Sequence, residues 1–284
     1  MVSTAIIDHP DLTEISGMAS SRLRPNTVWV HNDGGHAPRL YAIDQEGRVL
    51  GHAEVQNVRN RDWEDLASFV WRGRSYLAIG ELGDNRSHHQ EVRIHLVPEP
   101  RFKADRIADA RVRPVSTIRF TYPDGPRDAE GLAADPARER FIVLSKRDSS
   151  PQFYTVPWGL SREQGLVVAQ PMGSWQTPSL MGRLFSRAPN SAPFMAQMPT
   201  ALDLTPDGRG WMVLDYTRVW WMPSSQSAQR PLKPIRLPAH GLDQAEAACF
   251  SDDGREIWVT TEGRPAVLKI YAPPPAPRPN EASP

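Results

Sequence analysis

Apolar residues along this chain gather in short runs, each set off by a turn. The plainest are Val28-Trp29-Val30, Tyr76-Leu77-Ala78-Ile79, Phe141-Ile142-Val143-Leu144, Trp211-Met212-Val213-Leu214 and Ile257-Trp258-Val259. Runs this short, rich in β-branched and aromatic residues, predict buried strands rather than helices. Ahead of each run lies a turn: Arg24-Pro25-Asn26, Arg72-Gly73-Arg74, Asp135-Pro136, Pro206-Asp207-Gly208 or Asp253-Gly254. Ahead of each turn lies a phrase that returns five times, as S-G-M-A at Ser16–Ala19, E-D-L-A at Glu64–Ala67, E-G-L-A at Glu130–Ala133, T-A-L-D at Thr200–Asp203 and E-A-A-C at Glu246–Cys249. A strand–turn–strand unit that recurs every ~40–50 residues is the mark of a β-propeller blade.

Aligning the repeats predicts an all-β chain, a single β-propeller of four-stranded antiparallel blades, with strands A to D running outward from the axis. Five blades are counted. Blade one takes Ser16–Ser20, Val28–His31, Arg39–Asp44 and Val49–Val55; blade two Glu64–Trp71, Tyr76–Glu81, Glu91–Pro98 and Val112–Tyr122; blade three Glu130–Ala134, Phe141–Lys146, Gln152–Pro157 and Leu166–Gly173. Blade four takes Thr200–Thr205, Trp211–Tyr216, Val219–Pro223 and Lys233–Leu237; blade five Glu246–Ser251, Ile257–Thr261 and Val267–Tyr271. Blade five lacks a fourth strand, and Thr4–Ile7 is free to supply it, which closes the ring and removes its open edges. Met172–Gln197 fits no blade, and is either a sixth, degenerate blade or a loop over one face. Residues 1–272 are thus read as the propeller and 273–284 as a Pro-rich disordered tail.

Composition narrows the function. The 33 basic and 33 acidic side chains balance, so no field draws nucleic acid or an anionic membrane. A single cysteine, Cys249, excludes an intramolecular disulfide and reads as a small buried hydrophobe. No stretch has the ~20 apolar residues of a membrane helix, and Met1 to Pro10 carries no leader signature. As written the chain reads as cytoplasmic; trimmed from an exported precursor it would be periplasmic or secreted. Oligomeric state is not legible.

In a propeller, the starts of A strands and the ends of B strands meet at one mouth of the channel. Polar residues concentrate at both: Glu14, Ser16, Asp62, Glu64, Asp65, Asp128, Glu130, Thr200, Asp243, Gln244 and Glu246 at the first, His31-Asn32-Asp33, Glu81, Gly83-Asp84-Asn85, Ser145-Lys146-Arg147, Asp215-Tyr216 and Thr260-Thr261-Glu262 at the second. Carboxylates crowded together need cations or protons to coexist. Asp33, Glu64, Glu81, Asp84, Asn85, Glu130 and Glu246 form a hard-oxygen donor set suited to a divalent cation, Ca²⁺ first, with Asn32, Asp62, Asp128, Lys146 and Gln244 completing the mouth. Glu64, Glu130 and Glu246 are expected to face one another, with Asp33, Glu81 and Asp84 in the next layer. The alternative is a structural network in which these carboxylates accept backbone hydrogen bonds and pair with Lys146 and Arg147. His31 is either a general base or a satisfied inner-strand histidine.

The segments His31-Asn32-Asp33-Gly34-Gly35, Asp62-Trp63-Glu64-Asp65-Leu66-Ala67, Gly80-Glu81-Leu82-Gly83-Asp84-Asn85, Tyr122-Pro123-Asp124-Gly125 with Asp128-Ala129-Glu130, and Gln244-Ala245-Glu246-Ala247 resemble a group of uncharacterised bacterial propeller proteins. Motifs expected in that group are H-N-D-S-G, D-W-E-D, G-D-I-G-D-N, Y-P-D-G-x-x-D-A-E and Q-x-E-A. The resemblance runs from Glu14 to Tyr271, with Glu81 where the group commonly has Asp and Gly34 where it has Ser. It implies kinship with phytase-like, six-bladed propellers and frequent export. More distantly the chain resembles calcium-bearing propellers of the gluconolactonase and phosphotriesterase type, in which a Glu at the start of an inner strand holds the ion.

Two functions follow as expectations. One is a metal-dependent hydrolase of a small ester, lactone or phosphoester. The other is a non-catalytic propeller whose mouth takes a small-molecule ligand or a partner protein's loop.

Overall fold

In the computed structural model, residues 3–148, 150–158, 165–175, 198–208, 210–223, 233–236, 242 and 244–273 are described. Their only helical element is a single 3-10 turn, Pro136–Arg138, and none of their helices is long and apolar enough to cross a membrane. Five sheets form the blades of one propeller. Blade one is built of Ile15–Ser20, Thr27–Asn32, Arg39–Asp44 and Val49–Val55, and blade two of Trp63–Trp71, Arg74–Glu81, Val92–Pro98 and Ser116–Thr121. Blade three is Ala129–Asp135, Arg140–Ser145, Gln152–Pro157 and Gln170–Ser174; blade four is Pro199–Leu204, Gly210–Asp215, Arg218–Pro223 and Lys233–Arg236. Blade five consists of Ala245–Phe250, Ile257–Thr261 and Ala266–Tyr271, and its fourth strand is Ser3–Ile7, paired antiparallel with Ala266–Ile270. The N-terminal strand therefore closes the ring, as the repeat pattern demands.

The five inner strands pack one against the next around the axis, and the first also packs on the last. Ala129–Asp135 lies directly on Pro199–Leu204, so nothing between them can enter the ring as a sixth blade. The six blades that the family resemblance implied are thus corrected to five. Most of Met172–Gln197 and all of 274–284 lie outside the described residues.

Two strands were misread from sequence. Val112–Tyr122 is broken at the rigid Pro114: Arg111–Val112 runs parallel to Glu54–Val55 on the outer edge of blade one, and only Ser116–Thr121 completes blade two. Likewise Val167–Val168 pairs in parallel with Phe120–Thr121 of blade two, and Gln170–Ser174 completes blade three. Blades one and two therefore have five strands each, their outer edges covered by chain that runs between the third and fourth strands of the following blade.

Packing lies between blades rather than within them, because each sheet offers one apolar face to each neighbour. Trp29, Leu40 and Val55 of blade one meet Leu66, Leu77, Ile79 and Val97 of blade two. Trp258, Leu268 and Ile270 of blade five meet Ile15, Val28 and Tyr41 of blade one, with Ile7 of the closing strand fully buried among them. Local turn chemistry agrees. Trp71 pairs with Arg74 across a two-residue loop, and Arg72 and Gly73 both take the positive φ that such a hairpin turn requires.

Candidate functional site

The same irregularity interrupts the inner strand of every blade. Ile15 and Gly17 pair with consecutive residues of the neighbouring strand, and so do Trp63 and Asp65, Ala129 and Gly131, Pro199 and Ala201, and Ala245 and Ala247. Each is a β-bulge with one extra residue: Ser16, Glu64, Glu130, Thr200 and Glu246. A bulge re-aims the side chain it carries. Here the extra residue is always the first of the repeated phrase, and four of the five, Ser16, Glu64, Glu130 and Glu246, line one cavity of about 200 Å³ at the channel mouth. The two hydroxyl members tie blades together: Ser16 Oγ donates to the Glu64 carbonyl at 2.8 Å and Thr200 Oγ1 to the Ala245 carbonyl at 3.0 Å.

Six carboxylates line this cavity, those of Glu14, Asp33, Glu64, Glu130, Glu246 and Glu262, against two cations, Lys146 and Arg147. The imbalance shows in their protonation. Burial, then the Glu130 and Asp33 charges, hold the Glu64 carboxyl well above the ordinary range. Glu246 is held well above it too, mainly by burial, with Lys146 opposing. Burial lifts Glu130 to about 7 although Lys146 pairs with it directly. Lys146 is itself buried, with its ammonium 5.0 Å from the Tyr216 ring centroid. Arg147 reaches both Asp128 Oδ2 and Asn85 Oδ1 at 2.7 Å.

Beside these paired groups stands a second cluster. Asp33, Asp62 and Glu64 each present a carboxylate oxygen, and the three oxygens lie within 4.8 Å of one another. A second triple, Glu64, Asp128 and Glu130, shares Glu64 with the first. Burial and the neighbouring Asp33 charge lift Asp62 to about 6, and burial raises Asp33 as well. Two glycines make the close approach feasible. A Cβ on Gly83 would stand 2.2 Å from Glu64 Oε1 and 2.4 Å from Asp62 Oδ2, and a Cβ on Gly34 would stand 2.6 Å from Asp62 Oδ1. The Asp62 carboxylate is thus held between two stretches of bare backbone.

Of the residues singled out by sequence, the structure brings Asp33, Asn85, Glu64, Glu130, Lys146, Gln244 and Glu246 to the mouth cavity, with Asp62 and Asp128 against it through the two triples. Others go elsewhere. Glu81 lies on the same face of its strand as Leu77 and Ile79, which pack toward blade one, so strand alternation turns it away from the axis. It sits 3.4 Å from Arg61, 3.7 Å from Arg93 and 3.6 Å from His95. Asp84 stays close, lining an adjoining hollow with Asp62 and Asn85, but its carboxylate is occupied by its own loop, accepting the N–H groups of His88 and His89. Asn32 is buried, receiving the Glu14 N–H and donating to the Asp11 carbonyl. His31 does not line the mouth. It is fully buried over Gly17, edge-on to Trp63, with its Nδ1 at the Asn32 carbonyl; burial drives its pKa down to about 4, and the ring is a neutral core histidine that does not reach the cavity. Trp63 is equally buried.

Asp65 was counted among the mouth residues, yet it reaches inward and is fully buried. Its Oδ2 accepts the N–H groups of Leu132 and Leu202, from blades three and four, while Oδ1 accepts that of Leu66. It is a cross-channel tie. Missed altogether was a basic cavity on the flank of blade two, lined by Arg59, Arg93, His95, Thr117 and Arg119 among others. The alternation of Arg93 with His95 and of Thr117 with Arg119 was the available signal.

No protein-family model matches the chain, and no curated protein matches it in sequence. Hundreds of solved chains match its shape. One belongs to the nidogen/laminin complex, 14% identical over 89% of this chain and 74% of that one, with a TM-score of 0.46. Another is a luciferin-regenerating enzyme, 10% identical over 95% of this chain and 96% of that one, with a TM-score of 0.48. At such distances these likenesses carry no argument, and the propeller is read from the sheets of this chain itself.

Proposed function

We propose that the channel mouth binds a divalent cation, Ca²⁺ first, through Asp33, Asp62 and Glu64, and serves a hydrolase acting on a small ester, lactone or phosphoester. The observation that carries this reading is the convergence of the three carboxylates against the bare backbone of Gly34 and Gly83. None of the three forms an ion pair among the described residues, whereas Glu130 and Asp128 are already paired with Lys146 and Arg147. The donors are hard oxygens, the type that Ca²⁺ prefers, and the motif-level resemblance to calcium-bearing propellers points the same way. A bound ion would polarise a substrate oxygen or acidify a water. Glu130, with its carboxyl near 7, is suited to accept a proton at neutral pH, the role that the sequence offered to His31 or to a carboxylate left unligated. The small cavity admits a compact substrate group rather than a polymer.

A second reading also has an observation behind it. The Lys146 ammonium, set over Tyr216 beside Glu130, marks the mouth as a place for organic cations, which suits a non-catalytic propeller that binds a ligand or a partner's basic loop. Calorimetric titration of chelator-treated protein with Ca²⁺ tests the cation reading. Saturable binding that Glu64→Gln abolishes is expected, and a ~100-fold excess over the dissociation constant should stabilise the fold by ~2.7 kcal/mol. Absence of binding would overturn it. A panel of esters, lactones and phosphoesters, run with and without chelator, then decides between the readings. Chelator-sensitive turnover supports the hydrolase, and calcium binding without turnover supports the binding propeller.

A further inference from the structure

The flank cavity of blade two has a chemistry opposite to that of the mouth. It encloses about 560 Å³, within the range of small-molecule sites, between the linker Asn57-Val58-Arg59 and the sheet face that carries Glu81, Arg93, His95, Thr117 and Arg119. The strands place these side chains in register. Glu81 pairs with Arg93 and Arg93 with Arg119, while His95 stands opposite Thr117. A polar ladder thus crosses three strands on a face that elsewhere packs against blade one.

Charge is uneven here. Four guanidinium groups, of Arg59, Arg61, Arg93 and Arg119, meet two carboxylates, Glu81 and Glu91. Glu91 is taken up by Arg93 and Arg119, whose hydrogen bonds drive its pKa down to about 2. Burial alone would raise Glu81, but His95, Arg61 and Arg93 outweigh it and hold its carboxyl below the ordinary range, so it is ionised at neutral pH. Arg61 also acts on the neighbouring Asp62, and the positive surplus that faces the cavity is centred on Arg59. Arg93 and Arg119 hold Glu91 through Nε and Nη2, and the remaining donors are uncommitted. Arg59 makes no hydrogen bond or ion pair among the described residues, and the buried His95 Nε2 and Arg61 Nε have no hydrogen-bond partner. Glu81 keeps Arg61, Arg93 and His95 at 3.4–3.7 Å, outside good hydrogen-bond length. His95 Nδ1 meets Thr117 Oγ1 at 3.0 Å, which fixes the ring at the cavity wall.

From this geometry we infer that the flank cavity is a second binding site, independent of the mouth, which takes a small phosphate-bearing molecule. Its anionic oxygens would be bound by the fork of Arg59 and by the Nη1 groups of Arg93 and Arg119, which Glu91 does not use, with His95 and Thr117 at the cavity wall. Arginine N–H groups match the oxygen pairs of a phosphate, and the positive surplus of the cavity suits an anion. Nothing about the site needs the divalent cation.

Inorganic phosphate is the probe, titrated into full-length protein at low ionic strength and followed by calorimetry and by the ring resonances of His95. Saturable binding that weakens with added salt is expected. Arg59→Ala and Arg119→Gln should each weaken it about tenfold or more. Arg59 is exposed and hydrogen-bonds nothing among the described residues, so its variant should keep the wild-type melting temperature and fold. Glu64→Gln should leave phosphate binding intact, which separates this site from the mouth. The inference is overturned if about 10 mM phosphate, ten times a millimolar dissociation constant, gives no saturation. It is equally overturned if both arginine variants titrate like the wild type, or if Glu64→Gln removes the binding.

Discussion

Raising the pH of the cation-free protein should destabilise it, and the size of the effect can be worked from Glu130. Its carboxyl titrates near 7 in the fold against an ordinary 4.5. Below pH 4.5 both folded and unfolded chains hold the proton, and the group costs nothing. Between 4.5 and 7 the unfolded chain gives up its proton first, so the folded state binds more protons and stability falls with rising pH. Above 7 the loss is complete, and the interval from 4.5 to about 7 corresponds to about 3 kcal/mol. Glu64 and Glu246, held well above the ordinary range, add to it with the same sign. Urea denaturation of chelator-treated protein from pH 5 to 8 measures the slope. Glu130→Gln mimics the protonated carboxyl, so it should match the wild type near pH 4.5 and exceed it at pH 8, and the difference between the two isolates this group from other buried carboxyls. Saturating Ca²⁺ should flatten the wild-type slope, since it supplies the charge that protons otherwise supply. A wild-type stability that is flat or rises from pH 5 to 8 without cation, together with a Glu130→Gln variant weaker than wild type at pH 8, would refute the reasoning.

Two further outcomes are expected. Gly83→Ala places a Cβ against Glu64 Oε1 and Asp62 Oδ2, which are ends of side chains able to give way. Calcium affinity should fall about 10–100-fold in calorimetry, while the melting temperature of the cation-free protein changes little. Asp65→Ala leaves the N–H groups of Leu132, Leu202 and Leu66 unanswered in the channel. With about 1–3 kcal/mol for each unsatisfied buried group, the loss should exceed that of an ordinary core substitution and be measurable as a shifted urea midpoint at unchanged slope.

Much of the fold was legible because a propeller repeats its own instructions. One phrase marks the inner strand of all five blades, and its first residue is the bulge residue in every one. That is why Glu64, Glu130 and Glu246 could be placed in one layer from the sequence. What the sequence concealed was direction. A strand end names a location, but alternation decides which face a side chain takes, and Glu81 left the mouth for blade one on that ground alone. Burial was concealed too: His31 lies at the end of an inner strand, yet the ring folds down over Gly17 instead of upward into the cavity. The basic flank was hidden because its residues come from a linker and the outer two strands, which carry no repeated phrase. The parallel edge strands were hidden because two residues beside a proline or an alanine leave no periodicity to read.

The closure of the ring has a consequence for how the chain folds. Among the described residues Ser3–Ile7 pairs with Ala266–Ile270, so this strand must wait until the other blades have been made. Pairings that span the whole chain carry the largest loop-closure cost and come late. Blades one and two are differently placed: Arg111–Val112 and Val167–Val168 bind the edge of each preceding blade as the chain moves on, so this half can consolidate stepwise. Until the last strand arrives, blade five has three strands and an open flank on which Ile7 will later be buried. A second molecule's Ser3–Ile7 fits that flank as well as its own, so at high concentration during refolding the same final step leads to an exchanged dimer.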